Sequence, residues 1–327
     1  MTRIAIIGAG RIGRVHASTV LAHPQARLVL VCDPLEASAR DLAGSHGVAW
    51  CLEPHEVFAS ADVDAVIIGS PTRFHVEHIL EAVSAGKKVL CEKPVALELA
   101  DAERCLNELG DNTDVMLGFN RRFDPTFSEI HRRVADGEIG DLHQLTVISR
   151  DPFAPSAEYV AGSGGIFKDM TIHDFDMVRF FLGDIAEVVA VGTNVDETIR
   201  AQGDFDQAMV TLTSVDGRMA SIINSRTCAF GYDQRLEAFG SQGSLSADNL
   251  TATAVRAATS SQTQAKPRIM DFFLDRYIDA YRRELDAFLT SIADGAPMSP
   301  SLRDGYEALR LADAATISAH EGRIVRL

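Results

Sequence analysis

The most constraining stretch of the chain is Gly8-Ala9-Gly10-Arg11-Ile12-Gly13. It closes an apolar run at 3–7 and opens a segment of helical spacing at 11–22. A Gly-x-Gly-x-x-Gly run carries meaning only in that strand-to-helix context. Gly8 permits the tight turn. Gly10 leaves no side chain in the path of a pyrophosphate, and Gly13 lets helix and strand pack closely. Arg11 and Ile12 lie in the first helical turn, whose free N–H groups face the phosphates. The next apolar run ends in Asp33, about 20 residues past the last glycine, where a carboxylate accepts hydrogen bonds from ribose hydroxyls. It would repel a 2′-phosphate, and Pro34 follows rather than Lys or Arg. NAD is therefore expected over NADP.

Apolar runs at 28–32, 63–68, 89–91 and 115–119 continue the pattern, with helical segments at 35–43, 74–85 and 97–109 between them. Short strands apolar on both faces, alternating with helices, predict a doubly wound parallel sheet. Two loops at expected carboxyl ends of strands, Ser70-Pro71-Thr72 and Glu92-Lys93-Pro94, are candidates to border the nicotinamide. A lysine is usually just solvated. Lys93 differs in being set between a carboxylate and a proline at a strand end.

Near residue 122 the pattern changes. Longer runs at 142–149, 188–194, 208–213, 219–224 and 236–240 alternate apolar and polar residues, which predicts an antiparallel sheet with one face against helices. Helices are expected at 126–136, 167–182, 272–293 and 302–320, and an exposed strand or mobile loop at 251–264. The expected division is a domain of residues 1–122 and a second of 123–327. At 327 residues, 46% of them hydrophobic, the chain has material for two cores.

Lys and Arg number 31 against 46 Asp and Glu, a formal charge of −15. Such a surface argues against nucleic-acid or anionic-membrane partners. The five cysteines form no Cys-x-x-Cys pair, and no apolar run is long enough for a membrane span. A soluble, cytoplasmic protein is expected.

The stretch from Gly164-Gly165 through Asp169 to His173-Asp174-Phe175-Asp176 is the strongest catalytic candidate. Asp169 and His173, four residues apart, would share one face of a regular helix. A carboxylate one turn from an imidazole can orient it for removing a hydroxyl proton. A metal site is the competing reading, but His173 and Asp174 point in different directions, so at most Asp169, His173 and Asp176 converge; no metal is expected. A local helix contact is the plain alternative.

These motifs, with Asn120-Arg121-Arg122-Phe123-Asp124 and Ser149-Arg150-Asp151-Pro152, resemble the glucose–fructose oxidoreductase and inositol dehydrogenase family over essentially the whole chain. Within it the chain is most similar to the myo-inositol 2-dehydrogenase branch. The resemblance implies a Rossmann domain followed by a domain with a large open, mainly antiparallel sheet, assembled as a homotetramer. It implies catalytic roles for Lys93, Asp169 and His173, and substrate contacts from Asn120, Arg121, Asp151, Tyr232 and Tyr281, with Asp169 and His173 also touching substrate. The reaction it implies is NAD-dependent oxidation of a cyclic polyol, myo-inositol to 2-keto-myo-inositol. Lys93 and His173 would then serve the same alcohol. Other inositol isomers, an aldose, or a non-catalytic NAD- or sugar-binding sensor are the alternatives.

Overall fold

The computed structural model describes residues 1–110 and 114–327. The chain divides into two compact units. One comprises Met1–Phe123 with Asp279–Arg310, the other Asp124–Ile278 with Leu311–Leu327.

In the first unit, β1 (Thr2–Ile7), β2 (Ala26–Cys32), β3 (Ala49–Cys51), β4 (Ala65–Ile68), β5 (Lys88–Glu92) and β6 (Val115–Gly118) form one sheet of order β3-β2-β1-β4-β5-β6. Every pairing is parallel. This order reverses direction between β1 and β4, the switch point where open α/β sheets bind ligands. Helices α1 (Arg11–Ala22), α2 (Glu36–His46), α3 (Pro54–Ala59), α4 (His75–Ser84) and α5 (Leu99–Leu109) connect the strands. Ile4, Ile6, Ile67 and Leu90 are buried with Ala17 and Val20 of α1, so the apolar runs read from sequence are the core of this sheet. Gly47, at φ +66°, ends α2 in the left-handed conformation that glycine adopts without strain.

The second unit opens with α6 (Pro125–Ala135). Its N-cap, Asp124, accepts the N–H groups of Thr126 and Phe127 at 3.0 Å each, and proline occupies the first turn. The same carboxylate pairs with the buried Arg276. A sheet follows, built from β7 (Leu142–Arg150), β8 (Ile185–Thr193), β9 (Gln207–Ser214), β10 (Met219–Ser225), β11 (Asp233–Gly240), β12 (Gly243–Ala247) and β13 (Val325–Arg326), in the order β12-β11-β7-β10-β9-β8-β13. All pairs are antiparallel except β7 with β10. Between strands lie α7 (Ala157–Ser163), α8 (Ile172–Leu182), α9 (Glu197–Arg200) and α10 (Phe273–Arg276). Alternation sends Val188, Ala190, Val210, Leu212, Ile222 and Leu236 into a core with Phe175, Val178 and Leu182 of α8.

The chain then runs through α11 (Ile278–Asp294) and α12 (Leu302–Glu321). Leu285, Phe288 and Leu289 of α11 complete the core of the first unit, and Leu311, Ala312 and Ala315 of α12 that of the second.

Several elements differ from the sequence reading. The segment 167–182 is not one regular helix: Phe167–Thr171 is a π-helical turn, and α8 begins at Ile172. Its wider turn changes the four-residue spacing on which the shared face of Asp169 and His173 was argued. The expected helix 272–293 is broken at Tyr277 into α10 and α11. β12 and β13 carry too little alternation to be seen in sequence. In 251–264 only isolated bridges form, such as Ala257 with Ala265. Among the described residues, no helix is long and apolar enough to cross a membrane.

Candidate functional site

The first unit presents the glycine turn at the carboxyl end of β1. Gly8 has φ +102°, and a Cβ there would stand 2.5 Å from the Gly69 carbonyl oxygen and 2.8 Å from the Ser70 nitrogen. A Cβ on Gly13 would lie 1.9 Å from the Gly8 oxygen, so strand and helix touch through glycine. By contrast, a Cβ on Gly10 would meet nothing within 4 Å. Gly10 thus faces open space at the head of α1, where no side chain caps the helix. Asp33, at the end of β2, accepts the Ala9 N–H at 2.8 Å through Oδ2 and the Leu35 N–H at 2.9 Å through Oδ1. The carboxylate expected to read the ribose is therefore fixed to the turn expected to hold the pyrophosphate. Together, the open ground beside Gly10, the uncapped helix start and the pinned acid fit a dinucleotide.

The two loops expected beside the nicotinamide are tied together by a residue that sequence reading passed over. His75, fully buried at the start of α4, sets Nδ1 2.8 Å from the Pro94 oxygen and Nε2 2.8 Å from the Ser70 oxygen. Burial pushes its pKa down. His78, one turn on, reaches the Ser70 hydroxyl at 3.2 Å. Burial and the neighbouring His75 lower its pKa to about 4. Thr72 lies in the short 3₁₀ turn Thr72–Phe74 that leads into α4.

Glu92 turns its carboxylate inward. Oε1 lies 2.8 Å from His16 Nε2, and a Cβ on Gly118 would stand 3.1 Å from Oε2. Lys93, next in the chain, is partly exposed. Beside Glu92 is Glu284 of α11, fully enclosed, with neither carboxyl oxygen hydrogen-bonded. Burial first, and the charge of Glu92 second, push its pKa well above the usual carboxylate range. Tyr281, one turn before it, packs edge-on against His16 at 5.6 Å between ring centres. Asn120 and Arg121 lie buried in the 3₁₀ turn after β6.

In the second unit, sheet register gathers the remaining candidates at one end. Arg150 pairs with Ser225 of β10 and with Asp233 of β11. Asp151, Arg226 and Tyr232 are the residues just beyond those pairs, so three distant stretches meet at one sheet end. The Asp151 N–H bonds the Ser225 oxygen at 2.9 Å. Asp169, in the π turn, joins them: its Oδ2 is 3.0 Å from Nη1 of Arg226, and its Oδ1 accepts the Tyr159 hydroxyl at 2.9 Å. The Tyr159 phenol titrates above its ordinary range, through loss of solvent and then the charge of Asp169.

His173 lies partly buried on α8. Its neighbour Asp174 points into the interior, accepting Ser149 Oγ at 2.6 Å and Asn224 Nδ2 at 2.7 Å. Thr171 donates to Asn224 Oδ1 at 2.7 Å. These bonds fix the start of α8 against the centre of the sheet. Arg226, Tyr159, His75 and Glu284 were not found from sequence. Arg226 alone left a trace, as an arginine directly after an alternating strand.

The sequence matches the profile of an oxidoreductase family NAD-binding Rossmann fold over residues 2–119, and that of the oxidoreductase family C-terminal alpha/beta domain over residues 131–327. It is 42% identical to an inositol 2-dehydrogenase of Rhizobium meliloti, over 99% of each chain. The fold superposes on a crystal structure of a myo-inositol dehydrogenase from Corynebacterium glutamicum with a TM-score of 0.97 at 50% identity, covering 100% of this chain and 99% of that one. It superposes on a scyllo-inositol dehydrogenase from Lactobacillus casei, solved with bound NAD(H) and scyllo-inositol, with a TM-score of 0.91 at 29% identity, covering 100% and 99%.

Proposed function

Because the chain belongs to the glucose–fructose oxidoreductase and inositol dehydrogenase family of NAD-dependent oxidoreductases, we propose that it oxidises myo-inositol to 2-keto-myo-inositol. The observation that carries this reading is the array of Asp151, Asp169 and Tyr232 at one end of the second sheet, where Arg226 holds the Asp169 carboxylate. Several fixed polar groups at one place suit a substrate bearing many hydroxyls, and such a site rejects analogues that lack them. The full-length likeness to inositol dehydrogenases supports the same substrate class.

In this reading residues 1–122 bind the cofactor and add Lys93, Asn120 and Arg121 to the polyol contacts, and residues 123–327 bind the polyol and carry assembly. NAD, when bound, supplies the hydride acceptor. His173 takes the proton from the hydroxyl at the reacting carbon, worth about 10²–10⁴-fold as general-base help. Lys93 donates a hydrogen bond to the same oxygen as negative charge grows on it. Asp169 accepts a second substrate hydroxyl and orients the base. Asn120, Arg121 and Tyr281 complete the reading of the ring.

Assembly as a homotetramer through the second sheet belongs to this proposal. Register places Val191 beside Met209, and Met219 in line with Phe239 through Gln144, all on the face opposite the core. These large apolar side chains are exposed, which suits a face covered by a second copy of the chain. A mass four times that of the chain in light scattering supports this, and a monomer opposes it. The cytoplasm suits an NAD-linked enzyme whose five cysteines are all free.

The test is NADH formation at 340 nm with NAD and a panel of myo-, scyllo- and D-chiro-inositol and glucose. Highest kcat/KM on myo-inositol supports the proposal. Preference for another member corrects the substrate, and cofactor binding without turnover on any polyol sinks the enzymatic reading.

A further inference from the structure

Arg226 follows β10 with its side chain only 1% exposed. Its guanidinium is divided between two carboxylates. Nη1 lies 3.0 Å from Asp169 Oδ2, and Nη2 lies 3.1 Å from Asp204 Oδ2. Asp204 is itself anchored, since its Oδ1 accepts the Ile166 N–H at 2.9 Å. That bond forms just before the π turn that carries Asp169. Gly165 lies directly beside the same oxygen: at φ +85°, a Cβ there would stand 2.9 Å from Asp204 Oδ1. A continuous chain of contacts thus runs from the end of β10 through the guanidinium to both ends of the Gly165–Asp169 stretch.

The type of residue matters. A buried guanidinium needs its charge met, and its rigid fork reaches two carboxylates at fixed angles; an ammonium is a single point on a flexible stem. Each carboxylate restrains the other through the arginine between them. The π turn is wider than an α-helical one, and the bonds to Ile166 and Asp169 hold the residue before it and its middle residue.

We propose that Arg226 is a positioning residue for the oxidation: shared between Asp169 and Asp204, it fixes where the Asp169 carboxylate points. This rests on the reading that Asp169 acts on the substrate. Arg226 touches neither the polyol nor the cofactor in this role and acts only through Asp169. The Gly164-Gly165 pair gains a reason as well, because a side chain at 165 would push Asp204 out of its place between the π turn and the guanidinium.

The test is a double-mutant cycle on the full-length enzyme, using Arg226→Gln, Arg226→Lys, Asp169→Asn and the combinations of each arginine variant with Asp169→Asn. The readouts are kcat and KM for the polyol, the Kd for NADH by fluorescence, and the melting temperature. Misplacement of a reacting group by about 1 Å costs on the order of 10²-fold in rate. Arg226→Gln is therefore expected to lower kcat about 100-fold, with the NADH Kd within about twofold of the parent. Arg226→Lys, which can meet one carboxylate at a time, should fall between. The decisive expectation is non-additivity: each double variant is no more than about threefold slower than Asp169→Asn alone. Should Arg226→Gln not fold, the Arg226→Lys cycle gives the same reading. Full kcat in Arg226→Lys and Arg226→Gln beside a slow Asp169→Asn overturns the proposal and leaves the role of Asp169 intact. Losses that multiply in the double variants overturn it too, because the arginine would then act on the fold and not through Asp169. Full turnover in Asp169→Asn overturns the reading of Asp169 itself.

Discussion

His16 Nε2 lies 2.8 Å from Oε1 of Glu92, joining α1 to the strand end that precedes Lys93. Both residues are buried, and α11 places a second acid, Glu284, beside them. Two neighbouring enclosed carboxyls are not both charged at little cost, and the one with no hydrogen-bond partner is the one that keeps its proton.

Stability should therefore depend on pH through Glu284. The folded chain holds a proton there that the unfolded chain releases above its ordinary value of 4.5. From that pH upward toward the raised folded pKa, the folded state binds more protons, so stability falls as pH rises. The slope from one such group is at most about 1.4 kcal/mol per pH unit. Glu284→Gln, isosteric and never charged, should flatten the profile. Urea unfolding at pH 5, 7 and 8.5 checks this; parallel profiles for parent and variant would contradict it.

His75 should matter to both stability and cofactor affinity. His75→Phe removes both ring contacts and leaves the Ser70 and Pro94 carbonyls enclosed without that partner. An unsatisfied buried polar group costs about 1–3 kcal/mol. A neutral imidazole donates to only one of the two carbonyls at a time, so a single loss in that range is expected in urea unfolding, with an NADH Kd raised about tenfold if these loops border the nicotinamide. An unchanged Kd would show that the loops do not touch the cofactor.

Asp33 should set the choice of dinucleotide. Asp33→Ser keeps an acceptor near the Ala9 N–H but removes the charge. Hydrogen bonds to a charged group contribute about 1.5–3 kcal/mol, so kcat/KM for NAD should drop about tenfold or more. The ratio of NADP to NAD use should rise in the same measurement. A ratio equal to that of the parent removes Asp33 from cofactor selection.

Gly165→Ala should slow turnover without weakening NADH binding. The added methyl meets Asp204 Oδ1 at 2.9 Å on a backbone at φ +85°. Strain of this kind costs about 1–3 kcal/mol. A lower melting temperature and a reduced kcat are expected, with the NADH Kd unchanged. A variant matching the parent in both would show that the turn tolerates the shift.

The cofactor half of the fold was legible because its constraints are local. Gly13 is held to glycine by the Gly8 backbone five residues before it, the Gly-x-Gly-x-x-Gly spacing marks Gly8 without reference to the Gly69–Ser70 backbone it meets, and alternating strands and helices announce a parallel sheet. The networks around the candidate catalytic groups were not legible, because each joins residues far apart in sequence. Arg226 meets Asp169 across 57 positions, and His16 meets Glu92 across 76. Such pairs become visible only once the register of β7, β10 and β11, or the packing of α1 on the first sheet, is known. The return of Asp279–Arg310 to the first unit was hidden for a related reason. The apolar stripe of α11 shows that the helix packs, but not against which core.

The account turns on a direct transfer of hydrogen from one carbon of the polyol to the cofactor. Myo-inositol carrying deuterium only at C2, incubated with NAD and the enzyme, tests it most directly by mass spectrometry of both products. The expected result is reduced cofactor carrying the deuterium and a ketone that has lost it. Reduced cofactor free of deuterium, beside a ketone that still carries the label, would contradict oxidation at that carbon.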